Sequence, residues 1–355
     1  MSAVEHDDAG IALDAELAFL MLPGSYPEAT TTVRAIETHM SWVFLTDRFA
    51  YKLKKRVRID HVDCAGIGAR RALVEAEVRL NRRLAEDVYL GAVPLVRDAD
   101  ARLRLEGAGH PLDWLVKMRR LPAERALDAM IASAQAGPVQ MRAVARRLGG
   151  FYRRCEPAIA SATRYRRLLE ASLLRTSAQL RLPRHGLDRP ELLALEQDQR
   201  ACLHRYRALL ARRVAAGMIV DGHGDLRPEH VYLMPEPVII DCLEFSRSLR
   251  ILDRVDELGY FALECERHGA PGLAPPLFEA YAQTTGDLPD LGLVHLYQSL
   301  RASIRALLAI RHLQEPRYRD SRQWRARTAQ YLQLARAHID AAGAAGAAAD
   351  DGQSG

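Results

Sequence analysis

Val220-Asp221-Gly222-His223-Gly224-Asp225-Leu226-Arg227-Pro228-Glu229-His230-Val231-Tyr232-Leu233 is followed, after Pro235 to Pro237, by Val238-Ile239-Ile240-Asp241-Cys242-Leu243-Glu244-Phe245. His223, Asp225, His230, Asp241 and Glu244 are polar groups set around two short β-branched runs, 231 to 233 and 238 to 240. The prolines between those runs mark a reversal of the chain, so the pattern predicts a loop followed by a hairpin. One carboxylate then sits on a rigid loop and a second just past a buried strand, where both can face one cleft. Carboxylates so placed suit Mg-dependent phosphoryl transfer: one accepts the proton of an attacking hydroxyl while the other holds the metal on the phosphates.

This stretch resembles the catalytic and metal-binding loops of the protein-kinase-like phosphotransferases, and specifically those of the aminoglycoside phosphotransferase family. That family carries a His-x-Asp-Leu loop, an Asn five residues past the Asp, and a hairpin ending in a second, metal-binding Asp. His223-Gly224-Asp225-Leu226 and Asp241 match it, whereas His230 stands where the family has Asn. Imidazole is a poorer Mg ligand than an amide oxygen, so either Asp241 carries most of the metal binding or a softer divalent ion is tolerated. Arg227-Pro228-Glu229 is similar to the Lys-Pro-Glu of protein kinases and implies a cation near the transferred group.

The resemblance implies an α+β, two-lobe protein-kinase-like fold with a small β-rich N-lobe and a large helical C-lobe. It also implies transfer of the γ-phosphoryl of ATP, assisted by Mg2+, to a hydroxyl of a small molecule. In that scheme Asp225 orients and deprotonates the acceptor, Asp241 holds the metal, His230 assists the metal or the loop, and Arg227 steadies the γ-phosphate. An isolated His-Gly-Asp would be read as ordinary loop residues capping each other's backbone. The full string followed by Ile-Ile-Asp is what favours chemistry.

Upstream, residues 11 to 22 form a short apolar helix closed by Pro23 and Gly24. Thr31 to Ile36, Ser41 to Leu45 and Phe49 to Lys54 read as three antiparallel strands. In the kinase comparison Thr38 to Ser41 lies where a phosphate-covering loop would be. Its amides and the Ser41 hydroxyl could meet a phosphate, or the segment is a plain hairpin turn. Ala50-Tyr51-Lys52 resembles the Ala-x-Lys of the third kinase strand, which implies an adenine-lining Ala50 and a phosphate-binding lysine. Alternation puts Ala50, Lys52 and Lys54 on one face, so Lys52 is the first choice and Lys54 the alternate. Residues 69 to 85 form an amphipathic helix, and Glu77 is the expected partner of the lysine, since Glu75 points elsewhere at about 100° per residue. Residues 101 to 105 and 112 to 118 resemble the last small-lobe strands, and Met118 to Leu121 the hinge whose backbone would contact adenine.

Helices are expected at 123 to 134, 138 to 156, 158 to 180 and 190 to 215, separated by Gly137-Pro138, Pro157 and Pro183 to Pro190. Further helices are expected at 275 to 284, 290 to 313 and 321 to 341. Asp256 is the family-like anchor of the catalytic loop, and Asp253 a plain helix N-cap. The division is a 1–29 extension, a 30–121 N-lobe, a 122–341 C-lobe and a 342–355 tail whose Ala/Gly/Asp composition predicts disorder. Tyr297, Arg301 and Arg305 recur at i, i+4, i+8. Either they line the acceptor side, disfavouring polycationic aminoglycosides, or they pair with carboxylates and brace the lobe.

With 355 residues, 48% hydrophobic and 27% charged, the chain has the makings of sizeable cores and is not disordered. Residues 1 to 10 are polar and acidic, and no apolar run approaches the roughly 20 residues that cross a bilayer. This predicts a cytoplasmic protein without a membrane partner. Five scattered cysteines without Cys-x-x-Cys spacing predict free thiols. The net charge of +5 comes from Arg along helices without aromatic interleaving, which argues against a nucleic-acid partner. Two rival functions stand beside the kinase: a metallohydrolase using His223, Asp225, His230 and Asp241, and a non-catalytic nucleotide-binding module.

Overall fold

The computed structural model describes residues 13–59 and 62–351. The chain divides into two compact units, one comprising residues up to Arg125 together with Val238–Arg247, the other Ala126–Pro237 and the residues from Ser248 onward.

The first unit begins with α1 (Leu13–Leu20), β1 (Arg34–Glu37), β2 (Ser41–Leu45) and β3 (Phe49–Lys54). It continues through β4 (Arg58–Ile59), β5 (Val62–Asp63), α2 (Ile67–Ala85), β6 (Tyr89–Arg97), β7 (Leu103–Leu105) and β8 (His110–Arg119). Six strands form one antiparallel sheet in the order β1-β2-β3-β8-β6-β7. The sequence reading missed β6. Its run is interrupted by Gly91 and Pro94, and the ladder is irregular near both, as residues that weaken a strand pattern would have it.

The sheet's two faces carry separate cores. Tyr51 and Leu53 of β3 pack with Leu20, Tyr26, Phe44, Leu95 and Leu115. Ala50 packs on the other side with Val74 and Val78 of α2, Val116 and Met118. Period-2 alternation therefore sends Lys52 and Lys54 toward α2. Arg70, 1% exposed, forks onto Asp113 at 2.9 Å and ties α2 to β8.

The second unit opens with α3 (Leu127–Ala132), α4 (Pro138–Arg154), α5 (Ala162–Leu180), α6 (Arg189–Arg205) and α7 (Arg207–Ala215). One expected helix over 190 to 215 is thus two, broken at Tyr206. Short strands β9 (Ile219–Asp221) and β10 (Val231–Tyr232) bracket the 222–230 loop, and β11 (Val238–Ile239) begins the segment that belongs to the first unit. After α8 (Arg247–Arg250), β12 (Ile251–Asp253) pairs with β9. The unit ends with α9 (Arg254–Arg267), α10 (Ala274–Thr285), α11 (Leu291–Arg311) and α12 (Arg322–Asp351). The tail from 342 departs from expectation: α12 runs on through Asp351, because alanine has the highest helix propensity and carries the helix through an otherwise featureless composition. Residues 1–12, which include the start of the expected first helix, and 352–355 lie outside the described residues.

Within the second unit Arg213 forks onto two carboxylates, Asp253 at 2.6 and 2.7 Å and Asp287 at 2.8 Å. Asp253 also caps α9 through the Val255 amide at 2.9 Å, so it is an N-cap and a bridge to α7 at once. None of the five cysteines is in a disulfide. Among the described residues, no helix is long and apolar enough to cross a membrane.

Candidate active site

The first unit assembles a line of alternating charge. Lys52 Nζ lies 2.9 Å from Glu77 Oε1 and 2.6 Å from Asp241 Oδ1. Lys54 Nζ reaches the other Glu77 oxygen and sits 2.5 Å from Glu244 Oε1. Both lysines thus share one glutamate, each with a second carboxylate outside it. Glu75, by contrast, is exposed and pairs with Arg71. Burial opposes the Lys52 ammonium, but Asp241 and then Glu77 outweigh it and hold its pKa well above the ordinary lysine value. Burial likewise opposes the Glu77 carboxylate, and Lys52 and Lys54 outweigh that, so its pKa is lowered.

The line has a closed end and an open end. The Lys54 side chain is 2% exposed and Glu244 10%, whereas Lys52 is 13% and Asp241 39% exposed. Asp241 takes a positive φ of 63°, a left-handed conformation that Asp tolerates better than most residues. Two side chains hold the backbone there: the Asp241 amide donates to the Tyr89 hydroxyl at 3.1 Å, and the Cys242 amide donates to Asn81 Oδ1 at 2.8 Å. Hard carboxylate oxygen open to solvent fits Mg2+, which uses one or two carboxylates and keeps water and phosphate as its other ligands. Asp241 is the residue that would hold it.

Two residues expected at the nucleotide site, Ser41 and Met118, have specific surroundings. Ser41 is fully buried, its amide bonds to Thr38 Oγ1 at 2.9 Å, and its carbonyl accepts from Thr38. Of the two readings of that segment, its backbone bonding is that of the hairpin turn. Met118 is not a hinge residue but lies within β8, opposite Ala50 on one side and Tyr89 on the other, so its backbone is spent in the sheet.

In the second unit the 222–230 loop hangs on one carboxylate. Glu257, 1% exposed, accepts the His223 amide at 2.9 and 3.1 Å, the Gly224 amide at 2.6 Å and the Tyr152 hydroxyl at 2.7 Å. Gly222 permits that approach, since a Cβ there would stand 2.8 Å from Glu257, and Gly224 adopts φ +87°. The expected anchor was Asp256. One residue along α9 rotates a side chain by about 100°, and Asp256 instead meets Arg301 in a two-bond fork at 2.7 Å.

Asp225 is positioned from both sides. Its Oδ1 accepts the Tyr260 hydroxyl at 3.1 Å and its Oδ2 accepts Arg227 Nε at 3.1 Å. Arg227 also meets Glu229 at 2.6 Å and His230 Nε2 at 3.1 Å. An arginine only donates, so His230 Nε2 accepts and Nδ1 carries the proton to the Asp225 carbonyl, 2.9 Å away. Both ring nitrogens are therefore committed, so of the two roles expected of His230, metal or loop, its contacts are those of the loop. Arg227 is likewise spent within the loop, as a brace on Asp225 rather than a cation held out for a phosphate.

The Tyr297, Arg301 and Arg305 stripe braces this unit. Tyr297 is buried and donates to Asp253 at 3.2 Å, Arg301 holds Asp256, and Arg305 lies 3.7 Å from Glu264. Sequence reasoning missed the roles of Glu257, Tyr260, Asn81 and Tyr89, and the pairing of Glu244 with Lys54. Asn81 did leave a signal, as a polar residue four positions after Glu77 on the helix face that otherwise buries Val74 and Val78.

No protein-family model matches the chain. The uncharacterized protein Rv2004c of Mycobacterium tuberculosis and the uncharacterized protein Mb2027c of Mycobacterium bovis are each 30% identical over 275 residues, covering 76% of this chain and 53% of theirs. The chain thus spans about half the length of the curated relatives it matches. Among solved structures, a choline/ethanolamine kinase family protein from Mesorhizobium loti aligns with TM-score 0.56 at 14% identity, covering 93% of this chain and 98% of that one. LicA in complex with AMP aligns with TM-score 0.51 at 15% identity, covering 92% and 96%. The fold is therefore the two-lobe, protein-kinase-like one, with a small strand-rich part and a large helical part, that the 221–244 stretch implied.

Proposed function

We propose that the protein is an ATP-dependent phosphotransferase that moves the γ-phosphoryl group to a hydroxyl of a small molecule. The observation that carries this reading is the Lys52–Glu77–Asp241 line, in which an ammonium and an open carboxylate 189 positions apart are brought to 2.6 Å. A buried glutamate that fixes a lysine beside a solvent-facing carboxylate is the equipment for holding nucleotide phosphates with their metal. Lys52 orients the phosphates, Glu77 keeps it charged and aimed, and Asp241 would hold Mg2+, which on binding neutralises charge on the phosphates. Ala50 and Met118, side by side in the apolar cluster on that face, offer a wall for the adenine.

Asp225 supplies the other half of the chemistry. Tyr260 and Arg227 each take one of its oxygens, which fixes its direction and leaves lone pairs for the acceptor's hydroxyl proton. A fold likeness to proteins named as choline/ethanolamine kinase family and to LicA with AMP supports the class of donor and leaves the acceptor open. The hydrolase alternative loses support from the histidines, because both nitrogens of His230 and Nδ1 of His223 are already bonded within the loop.

The test is calorimetry of ATP binding with and without Mg2+, followed by ATP consumption over pools of hydroxylated metabolites. Mg-dependent binding and acceptor-dependent consumption lost in Asp225→Asn is the expected result. Binding without turnover over every pool would leave a nucleotide-binding module, and no ATP binding at all would overturn the reading.

A further inference from the structure

The second unit contains a cavity of about 210 Å³ between α5, α6 and α11, outside the Asp225 loop. Much of its wall is leucine, with Tyr165 and Tyr297 also on it: Leu173, Leu180, Leu192, Leu195 and Leu300 are buried there, and Leu168 stands at 46% exposure beside them. No Phe or Trp lines it. Protein interiors pack to near crystal density, so an unfilled, partly open space of this size among leucines is a place where an aliphatic chain gains contacts.

The polar groups on the wall decide what kind of molecule. Asp256 and Arg301 neutralise each other at 2.7 Å, and Glu196 is taken by Arg181 and Ser177. Gln199 is bonded to Ser299 and Ser303, and the Tyr165 and Tyr297 hydroxyls are bonded at Asp253. Arg175 differs from all of these. It lines the cavity, is exposed, and has no ion-pair partner among the described residues. The site thus offers an aliphatic slot with one unspent positive charge. A cationic ligand would find neither a free carboxylate nor an aromatic cage, whereas a carboxylate could form a charge-assisted, two-bond contact with the guanidinium.

We propose that this cavity binds a small saturated aliphatic carboxylate, its chain among the leucines and its head at Arg175. The experiment is a methyl-NMR titration of the full chain with octanoate, 1-octanol and octylammonium, a binding readout independent of phosphoryl transfer. Saturable shifts centred on the cavity leucines are expected, with octanoate binding at least tenfold more tightly than octylammonium and more tightly than octanol. Arg175→Gln should weaken octanoate about five- to tenfold and leave octanol unchanged. Leu173→Trp, which fills the space, should abolish binding of both; Leu169→Trp, at a half-buried wall position, serves the same purpose if the first variant fails to fold. Non-saturable octanoate shifts, octanol binding as tightly as octanoate, or affinities unmoved by the substitutions would overturn the proposal.

Discussion

The Lys52–Glu77–Asp241 line and the 222–230 loop are both polar constructions in buried settings, yet they are held in opposite ways. The line consists of full charges from a strand, a helix and a distant loop, each lying against its opposite. The loop is short-range: Arg227 reaches Asp225, Glu229 and His230 within three residues, and from outside Glu257 holds the His223 and Gly224 amides while the Arg250 carbonyl holds that of Gly222. Charges in a line can exchange partners when a phosphate or metal arrives, because Lys52, Lys54 and Glu77 each lie against two counter-ions. A loop with two successive amides fixed on one buried carboxylate has little freedom to exchange partners, which suits a group that must keep its direction.

Removing that acceptor should have the largest effect. Glu257→Ala removes the acceptor of two amides and of the Tyr152 hydroxyl, and a loss of about 3–5 kcal/mol in urea denaturation is expected. A loss below about 1 kcal/mol would mean the loop is held by its internal contacts, and the contrast between the two regions would fail. Asp225→Asn should instead leave stability within about 0.5 kcal/mol and reduce phosphoryl transfer by about 10²–10⁴-fold with ATP affinity unchanged. Near wild-type turnover in this variant would remove Asp225 from the chemistry.

At the open end of the line, Asp241→Ala should abolish the Mg-dependent part of ATP binding in calorimetry while the metal-independent part survives through Lys52. Unchanged Mg-ATP affinity would make Asp241 a structural partner of Lys52 only. The line should also declare itself in acid. Glu77 has a lowered pKa in the folded chain, so its contribution is complete above the unfolded glutamate value of about 4.3 and is lost as pH falls from there through the lowered value. Wild type should therefore lose urea resistance more steeply below about pH 4 than Glu77→Gln, whose contribution is already absent. Parallel curves would show that the lysines do not stabilise this carboxylate.

The smallest effect is expected at His230. His230→Asn can keep one of the two ring contacts, costs about 1 kcal/mol or less, and should leave any preference between Mg2+ and Mn2+ unaltered. A changed metal preference would restore the histidine to the metal site and place the loop's exchange behaviour nearer to that of the line.

How much of this the chain announces depends on the range of the interaction. Strand alternation placed Ala50, Lys52 and Lys54 on one face, helical phase separated Glu77 from Glu75, and the unusual string around Asp225 pointed to the fold, since periodicity and local loop chemistry are written in consecutive residues. Partner choice was not legible in the same way. Whether Glu257 or Asp256 takes the loop amides, whether Arg301 faces a ligand or a carboxylate, and whether His230 has a nitrogen to spare turn on rotations of about 100° and separations of a few ångströms. Those are fixed by how α9 and α11 pack, and the packing energy is summed over many side chains remote from any of these residues. A sequence can therefore nominate the charged groups of a site, while tertiary structure decides which of them are already spent on one another.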